Sequence, residues 1–404
     1  MAKYEIQRTP TAILTPLTSP LDARMNKVFL HILFTLSTPF TFPLIANPPP
    51  SFIEVPQDYF EFDSYNPPIN EPADPQASPI TPLVDLEDRA QSFVLKTKKI
   101  DIPEYPNAFN PSIIRWRGSL LLCFRIYGPN GSTNRIGLTW LDEEFNPIGQ
   151  PQELNILVND PFSRTKRQDP RLIAIGDRLF IAYNNVLARI PQREIRRMLI
   201  AEVFFNGEGF FADNPECLIH FEGENDLRSE KNWVPFVYNH HLLLSYSINP
   251  HRVLHPLLFG TGECNTVASA SASIPWKWGD LRGGTPALLE GDEYLAFFHT
   301  CKSMSTVHSQ GKNIPHYFMG AYTFSAHPPF DITRVSPEPI VGKDFYHGRA
   351  YKTWKPLHVV FPGGFVSDDH YIWIAYGRQD HEIWIAKLNK AALFQSLVPV
   401  HKKP

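Results

Sequence analysis

Arg164-Thr-Lys-Arg-Gln-Asp-Pro-Arg-Leu-Ile-Ala-Ile-Gly-Asp-Arg-Leu-Phe-Ile-Ala-Tyr183 is the stretch whose reading decides the fold. A carboxylate, Asp169, stands directly ahead of Pro170 among Arg164, Lys166, Arg167 and Arg171. Two apolar runs follow, separated by a Gly176-Asp177 turn. A residue before proline is pushed out of the helical region, so Asp169 is expected to be extended, with a fixed backbone and a defined aim.

The same phrase recurs. Asn110-Pro111 opens a strand, a turn at Gly118 and a second strand ending at Arg125. Asn232-Trp233-Val234-Pro235 leads into a run ending at Tyr246, Thr285-Pro286 into one ending at His299, and Phe361-Pro362 into one ending at Tyr376. The five prolines lie about 50 to 75 residues apart, the spacing of propeller blades with loop insertions. Further strand-like runs, Met198 to Phe205 and Tyr317 to Phe324, fall between the units. The chain is therefore expected to be all-β, a five-bladed β-propeller over 105–390 in which the first strand of each blade lines the channel. A pair of β-sandwiches would not need a proline at the same point of every repeat. Only Asn389 to Leu397 reads as helix, and 391–404 reads as a C-terminal tail.

Composition agrees. Thirty-nine prolines and 13% aromatics suit short strands and rigid loops, because proline is excluded from helix interiors and strand centres. A net charge of −3 argues against a nucleic-acid partner. The four cysteines are far apart with no CxxC pair, which excludes a zinc site of the usual spacing, and Cys123 reads as a buried thiol. His251 and His255 stand four apart, but Pro250 and Pro256 forbid the helix that would aim both at a metal.

The N-terminal part divides into an irregular extension 1–24, a segment 25–46 and a proline-rich, acidic arm or linker 47–104. From Met25, a short basic start, an apolar run to Ala46 and then Pro48-Pro49-Pro50 resemble a secretory signal peptide, with Met25 as the start of translation. The expected location is then periplasmic or extracellular, and otherwise cytoplasmic. An apolar docking arm is the other reading. Pro39, Pro43 and His31 make the run too short for a stable membrane span.

If the five strand starts form a ring, Asn110, Asp169, Lys231-Asn232-Trp233, Arg282-Gly283-Gly284-Thr285 and Phe361 converge at one mouth of the channel. A carboxylate, cations, amides and an aromatic around a pocket suit a polyhydroxylated or anionic ligand. Two glycines after Arg282 predict a close backbone approach, to ligand or to a neighbouring strand. Glu230 and Asp280 are candidate bases for a hydrolase, or partners of adjacent cations. Arg189, Arg193, Arg196 and Arg197 form either a solvated loop or a phosphate rim. Of Trp233, Trp276, Trp278 and Trp354, one or two are expected to stack on sugar rings and the rest to pack between blades.

These motifs, Asp169-Pro170-Arg171, Lys231-Asn232, Arg282-Gly283-Gly284-Thr285-Pro286, His299, Val360-Phe361-Pro362-Gly363-Gly364 and Tyr376-Gly377-Arg378-Gln379-Asp380, resemble glycoside hydrolase family 130 in their order. The resemblance implies a five-bladed propeller acting on β-mannosides by inverting transfer, by phosphorolysis or hydrolysis, with Asp169 as proton donor. It further implies that Lys231 and Arg282 hold phosphate, and that Asn110, Arg125, Arg171, Asn232, Trp233, Thr285, His299 and Asp380 contact sugar. An inverting displacement needs one acid on the leaving group and an acceptor on the opposite face. The partner is then an oligosaccharide or glycan, with no cofactor and inorganic phosphate as a co-substrate. The chain departs from the family's pattern in Gln168 where glutamate is usual, in Trp233-Val234-Pro235, and in Ser247-Ile248-Asn249-Pro250 where an arginine is expected. These departures leave open hydrolysis, mannosyl transfer from a nucleotide sugar, or a glycan-binding propeller without turnover.

Overall fold

Residues 82–128, 133–157, 166–191, 193–270, 274–353 and 355–401 are described by a computed structural model of the chain. The expected extension 1–24, the segment 25–46 and the arm as far as residue 81 lie outside the described residues.

Five antiparallel sheets make five blades, as the repeat predicts. Blade 1 runs Phe109–Trp116, Ser119–Tyr127, Asn134–Leu141 and Pro147–Glu153. Blade 2 runs Gln168–Ile175, Arg178–Ile190, Arg193–Phe205 and Phe210–Leu218, with Asn155–Leu157 added in parallel at its outer edge. Blade 3 comprises Val234–Tyr238, His241–Ile248, His251–Pro256 and Cys264–Ala270. In blade 4 the inner strand is split into Arg282–Gly283 and Leu288–Glu290, both paired with Glu293–Met304; Ile314–Ser325, Ile332–Val335 and Val398–Pro399 follow outward. Blade 5 runs Val360–Ser367, Tyr371–Arg378 and Glu382–Asn389, and Val94–Ile100 pairs antiparallel with its last strand. The linker reading therefore fails for the end of 47–104: Val94–Ile100 completes the last blade and ties the start of the ring to its end. Helix Lys390–Ser396 is capped by Asn389, whose Oδ1 accepts from the Ala392 N–H at 2.9 Å.

The uninterrupted apolar runs have a direct cause. Successive side chains on a strand point to opposite faces, and a blade inside a ring is covered on both. In blade 2, Leu172, Leu179 and Ile181 pack with Leu121, Cys123 and Leu138 of blade 1. Their neighbours Ile173, Phe180 and Ala182 pack with Trp233 and Leu244 of blade 3. The pattern continues around the ring: Val234 and Phe236 meet Phe298 and Phe324, Phe297 and Met319 meet Val360 and Phe365, and Ala375 and Ile385 meet Leu122 and Phe124. Each junction between blades has its own buried apolar cluster.

All four cysteines are free, and Cys123 is buried as expected. His251 and His255 lie on a strand; His251 is buried between the Phe330 carbonyl and Ser245 Oγ, at 2.6 and 3.0 Å. Among the described residues no helix is long and apolar enough to cross a membrane.

Candidate active site

The inner strands of blades 1 and 2 share one deformation. Their register steps from Phe109 opposite Arg125 to Ser112 opposite Cys123, and from Gln168 opposite Asn184 to Arg171 opposite Ala182. One extra residue is thus bulged out at Asn110-Pro111 and at Asp169-Pro170. Proline has no N–H to lose from the ladder at that point. Asn110, Asp169 and, in blade 3, Asn232 have φ of 47, 53 and 65°. The extended backbone expected of Asp169 is therefore wrong: the bulge takes a left-handed residue, and Asn and Asp are the side chains that best tolerate that region.

Asp169 is nearly buried, and its carboxylate is held from blades 1 and 2. Asn110 Nδ2 donates to Oδ1 at 3.0 Å, Asn184 Nδ2 reaches Oδ2 at 3.4 Å, and Arg125 Nη1 lies 3.5 Å from Oδ1. Burial pushes the carboxyl up, but Arg125, Arg171, the Asn110 hydrogen bond and Lys231 together outweigh it and hold it below the usual range. Arg125 is itself oriented by Asn134 Oδ1 at 3.0 Å and lies over the Phe109 ring.

A second carboxylate shares the site with the opposite bias. Asp380 sits at the tip of the turn joining Tyr371–Arg378 to Glu382–Asn389, with φ 52°. Burial raises its pKa first and the charge of Asp169 adds to that, against Arg125, His381 and a hydrogen bond to Asn110. Lys231 and Arg282 are exposed, and Lys231 interacts electrostatically with Asp169, Arg196, Arg282 and Arg125. Desolvation lowers the Lys231 pKa, reinforced by Arg196, Arg282 and Arg125 and opposed by Asp169. His299 is buried, stacks on Tyr317 at 5.9 Å, and is pushed down to about 3 by burial and by Arg171, Arg282 and Lys231, so its ring is neutral. Two buried polar atoms at this place, His299 Nδ1 and Asn110 Oδ1, have no hydrogen-bond partner.

Several residues expected to touch substrate do other work. Arg171 is fully buried: Nε donates to the Gly284 carbonyl, Nη1 to the Asp169 carbonyl at 3.0 Å, and Nη2 to Asn232 Oδ1 and the Gly283 carbonyl, both at 3.3 Å. It fastens blade 2 to the start of blade 3 and to blade 4. Asn232 is mostly buried and serves as one of those acceptors. Trp233 is enclosed between Phe221 and Tyr246 and donates to Glu230 Oε2 at 3.2 Å. Thr285 is buried, and its Oγ1 accepts from the Phe297 N–H at 3.0 Å. Trp276 and Trp278 are likewise spent on Ser336 and Glu338, at 2.8 and 2.9 Å, while Trp354 lies outside the described residues. The close approach at Gly283 and Gly284 is to protein: a Cβ would fall 2.1 Å from the Asn232 carbonyl oxygen and 2.4 Å from that of Phe297. Glu230 is buried among Trp233, Tyr246 and Arg228, which suits a partner rather than a base; Asp280 is exposed.

The arginines around residue 190 are on strands, not in a loop. Arg196 belongs to the site: it is buried, donates to Asn184 Oδ1 at 3.1 Å, and is bridged to Glu194 at 2.5 Å. Arg197 instead binds the carbonyls of Arg228 and Asn225, at 2.7 and 3.3 Å, and Arg189 is exposed beside Glu194. Sequence reasoning also missed Asn184 and the aromatic rim. Tyr127, 36% exposed, stacks on Phe109 at 4.8 Å, and Tyr351 stacks on His381 at 4.5 Å. The signal for Asn184 was positional: it stands on the second strand of its blade opposite the first residue of the inner strand, as Arg125 and His299 do in theirs.

Solved structures share this fold. A glycosyl hydrolase from Bacteroides ovatus matches with a TM-score of 0.52 at 15% identity, over 78% of this chain and 94% of that one. A β-1,2-mannobiose phosphorylase from Listeria innocua, solved with β-1,2-mannobiose, matches with a TM-score of 0.50 at 12% identity, over 76% and 94%. No family profile and no curated protein sequence matches the chain. The fold is thus the one expected from the resemblance to family 130, and these solved structures share it.

Proposed function

We propose that the protein cleaves or forms β-mannosidic bonds with inversion, that Asp169 donates the proton to the glycosidic oxygen, and that inorganic phosphate is the acceptor. The observation that carries this is the charge arrangement: the nearly buried Asp169 carboxylate lies in the field of Arg125, Arg196 and Lys231, with Arg282 acting on Lys231. An inverting hydrolase needs a second, ionised carboxylate as base, and the charged form of the site's other carboxylate, Asp380, is disfavoured by burial and by Asp169, whereas an anionic acceptor needs cations. The cations also keep Asp169 ionised, which is the wrong state for an acid. A phosphate bound between Lys231 and Arg282 would add negative charge beside Asp169 and raise its pKa, so acceptor binding would favour the protonated acid. Sugar hydroxyls would satisfy His299 Nδ1 and Asn110 Oδ1, and the Tyr127 face suits a sugar ring.

Product analysis on β-linked manno-oligosaccharides, with and without phosphate, tests the reading. Mannose 1-phosphate formed only with phosphate supports it, and free mannose regardless of phosphate sinks the acceptor assignment. Asp169→Asn should lower turnover about 10²- to 10⁴-fold while the fold is kept. Unchanged turnover would remove Asp169 as the acid. If no product forms either way, adding a nucleotide sugar separates a transferase from a binding module.

A further inference from the structure

Three side chains from distant parts of the chain bring their donor atoms together. Asp85 precedes the closing strand Val94–Ile100, His308 lies between the two long strands of blade 4, and His347 lies between blades 4 and 5. Asp85 Oδ1 is 3.0 Å from His308 Nε2, Asp85 Oδ2 is 3.6 Å from His347 Nε2, and all the donor atoms lie within 4.8 Å of one another. Donors around a tetrahedral zinc, at 2.0–2.1 Å from it, stand about 3.3 Å apart.

The hydrogen bonds around the cluster say which nitrogens carry lone pairs. His347 Nδ1 is 2.8 Å from Glu87 Oε2, and Glu87 also accepts the N–H groups of Asp344, Tyr346 and His347 at 3.0, 2.7 and 2.8 Å. Glu87 is an acceptor throughout, so Nδ1 holds the proton and a neutral His347 turns an unprotonated Nε2 toward Asp85. At His308, the Leu86 N–H points at Nε2 from 3.1 Å, which marks that nitrogen as an acceptor as well. With both rings neutral, two lone-pair nitrogens face one carboxylate. Protonating both rings would relieve the contacts, but it would leave the Leu86 N–H facing another N–H. A single cation relieves both at once.

We propose that Asp85, His308 and His347 bind a divalent transition metal, zinc being the first choice for two imidazoles and a carboxylate. Glu87 is the outer carboxylate that fixes the His347 tautomer, an arrangement metal-binding histidines commonly use. His347 is 48% exposed at its side chain, which leaves a solvent side for a fourth ligand and a path of entry. The ion would pin the segment carrying Asp85 onto blade 4 and onto the loop leading into blade 5. Its role is then to hold the chain in place just before the strand that closes the ring.

The test is zinc titration of the full chain after chelator treatment, by calorimetry and by competition with a chromophoric chelator. The expected result is one zinc per chain with a higher melting temperature, at least a tenfold loss of affinity in His347→Ala, and a similar loss in Asp85→Asn. Cobalt(II) should give the visible absorption of a tetrahedral site in the parent and not in His347→Ala, a readout independent of stability. Zinc binding below stoichiometry, or binding that survives both substitutions, overturns the proposal and leaves the cluster as an ion pair of protonated histidine with Asp85.

Discussion

Arg171→Met replaces the buried guanidinium with an apolar chain of similar length. Four acceptors then lose their donor: the carbonyls of Asp169, Gly283 and Gly284, and Asn232 Oδ1. None has water to turn to, because Arg171 is 0% exposed and both glycines are buried. At about 1 kcal/mol for each buried acceptor left unpaired, the loss is about 4 kcal/mol, in the range measured for breaking a buried charged network. Urea unfolding of parent and variant gives the difference directly, read as a shift in midpoint with an unchanged slope. Arg171→Lys should not rescue it, because an ammonium cannot match a fork spanning three blades. A loss under about 1 kcal/mol combined with a collapse in activity would refute the reasoning and return Arg171 to the substrate, where the motif first placed it.

The two site carboxylates should move stability in opposite directions with pH. Asp169, held low when folded, contributes stability that is present above about pH 3.9 and is lost as pH falls through its folded pKa; Asp169→Asn should be less stable than the parent at pH 7, with the gap closing in acid. Asp380, held high when folded, costs stability as pH rises from about 3.9 through its folded pKa, so Asp380→Asn should be the more stable protein at pH 7 and match the parent near pH 3. Denaturation midpoints across pH check both signs. Lys231→Ala should raise KM for phosphate about tenfold or more without lowering the stability at pH 7; an unchanged KM places the acceptor elsewhere. Tyr127→Ala should raise KM for the sugar about fivefold, near 1 kcal/mol of lost stacking, with kcat little altered. Trp233→Phe should leave KM alone, since that ring never reaches the mouth.

What was legible in the sequence was whatever repeats. The X-Pro phrase marks the bulge at the inner strands of blades 1, 2 and 5, and the apolar runs mark strands covered on both faces, so the blades and the place of Asp169 could be read directly. Long-range contact was not legible. Arg171 and Asp169 are two residues apart in one motif, yet one is consumed by carbonyls of blade 4 and the other faces the mouth. Nothing local distinguishes Trp233, packed under Tyr246, from a stacking tryptophan. Arg196 looked like its neighbours in a run of charge, but strand alternation sends it to Asn184 and sends Arg197 to the backbone of Arg228. Asn184 was missed because strand register, rather than residue type, singles it out.

The pairing of Val94–Ile100 with Glu382–Asn389 also sets a timetable for biosynthesis. Ribosomes add about 5–20 residues per second, so tens of seconds separate the emergence of these two strands. Through that interval the first strand has no partner, and an unpaired edge is a template for joining other chains. Its sequence, Val-Leu-Lys-Thr-Lys-Lys-Ile, carries Lys96, Lys98 and Lys99. Charge at that density discourages strand-to-strand stacking between nascent copies while leaving Ile100 to be buried once the ring closes. A segment that looks too basic for a good strand is thereby suited to waiting as one.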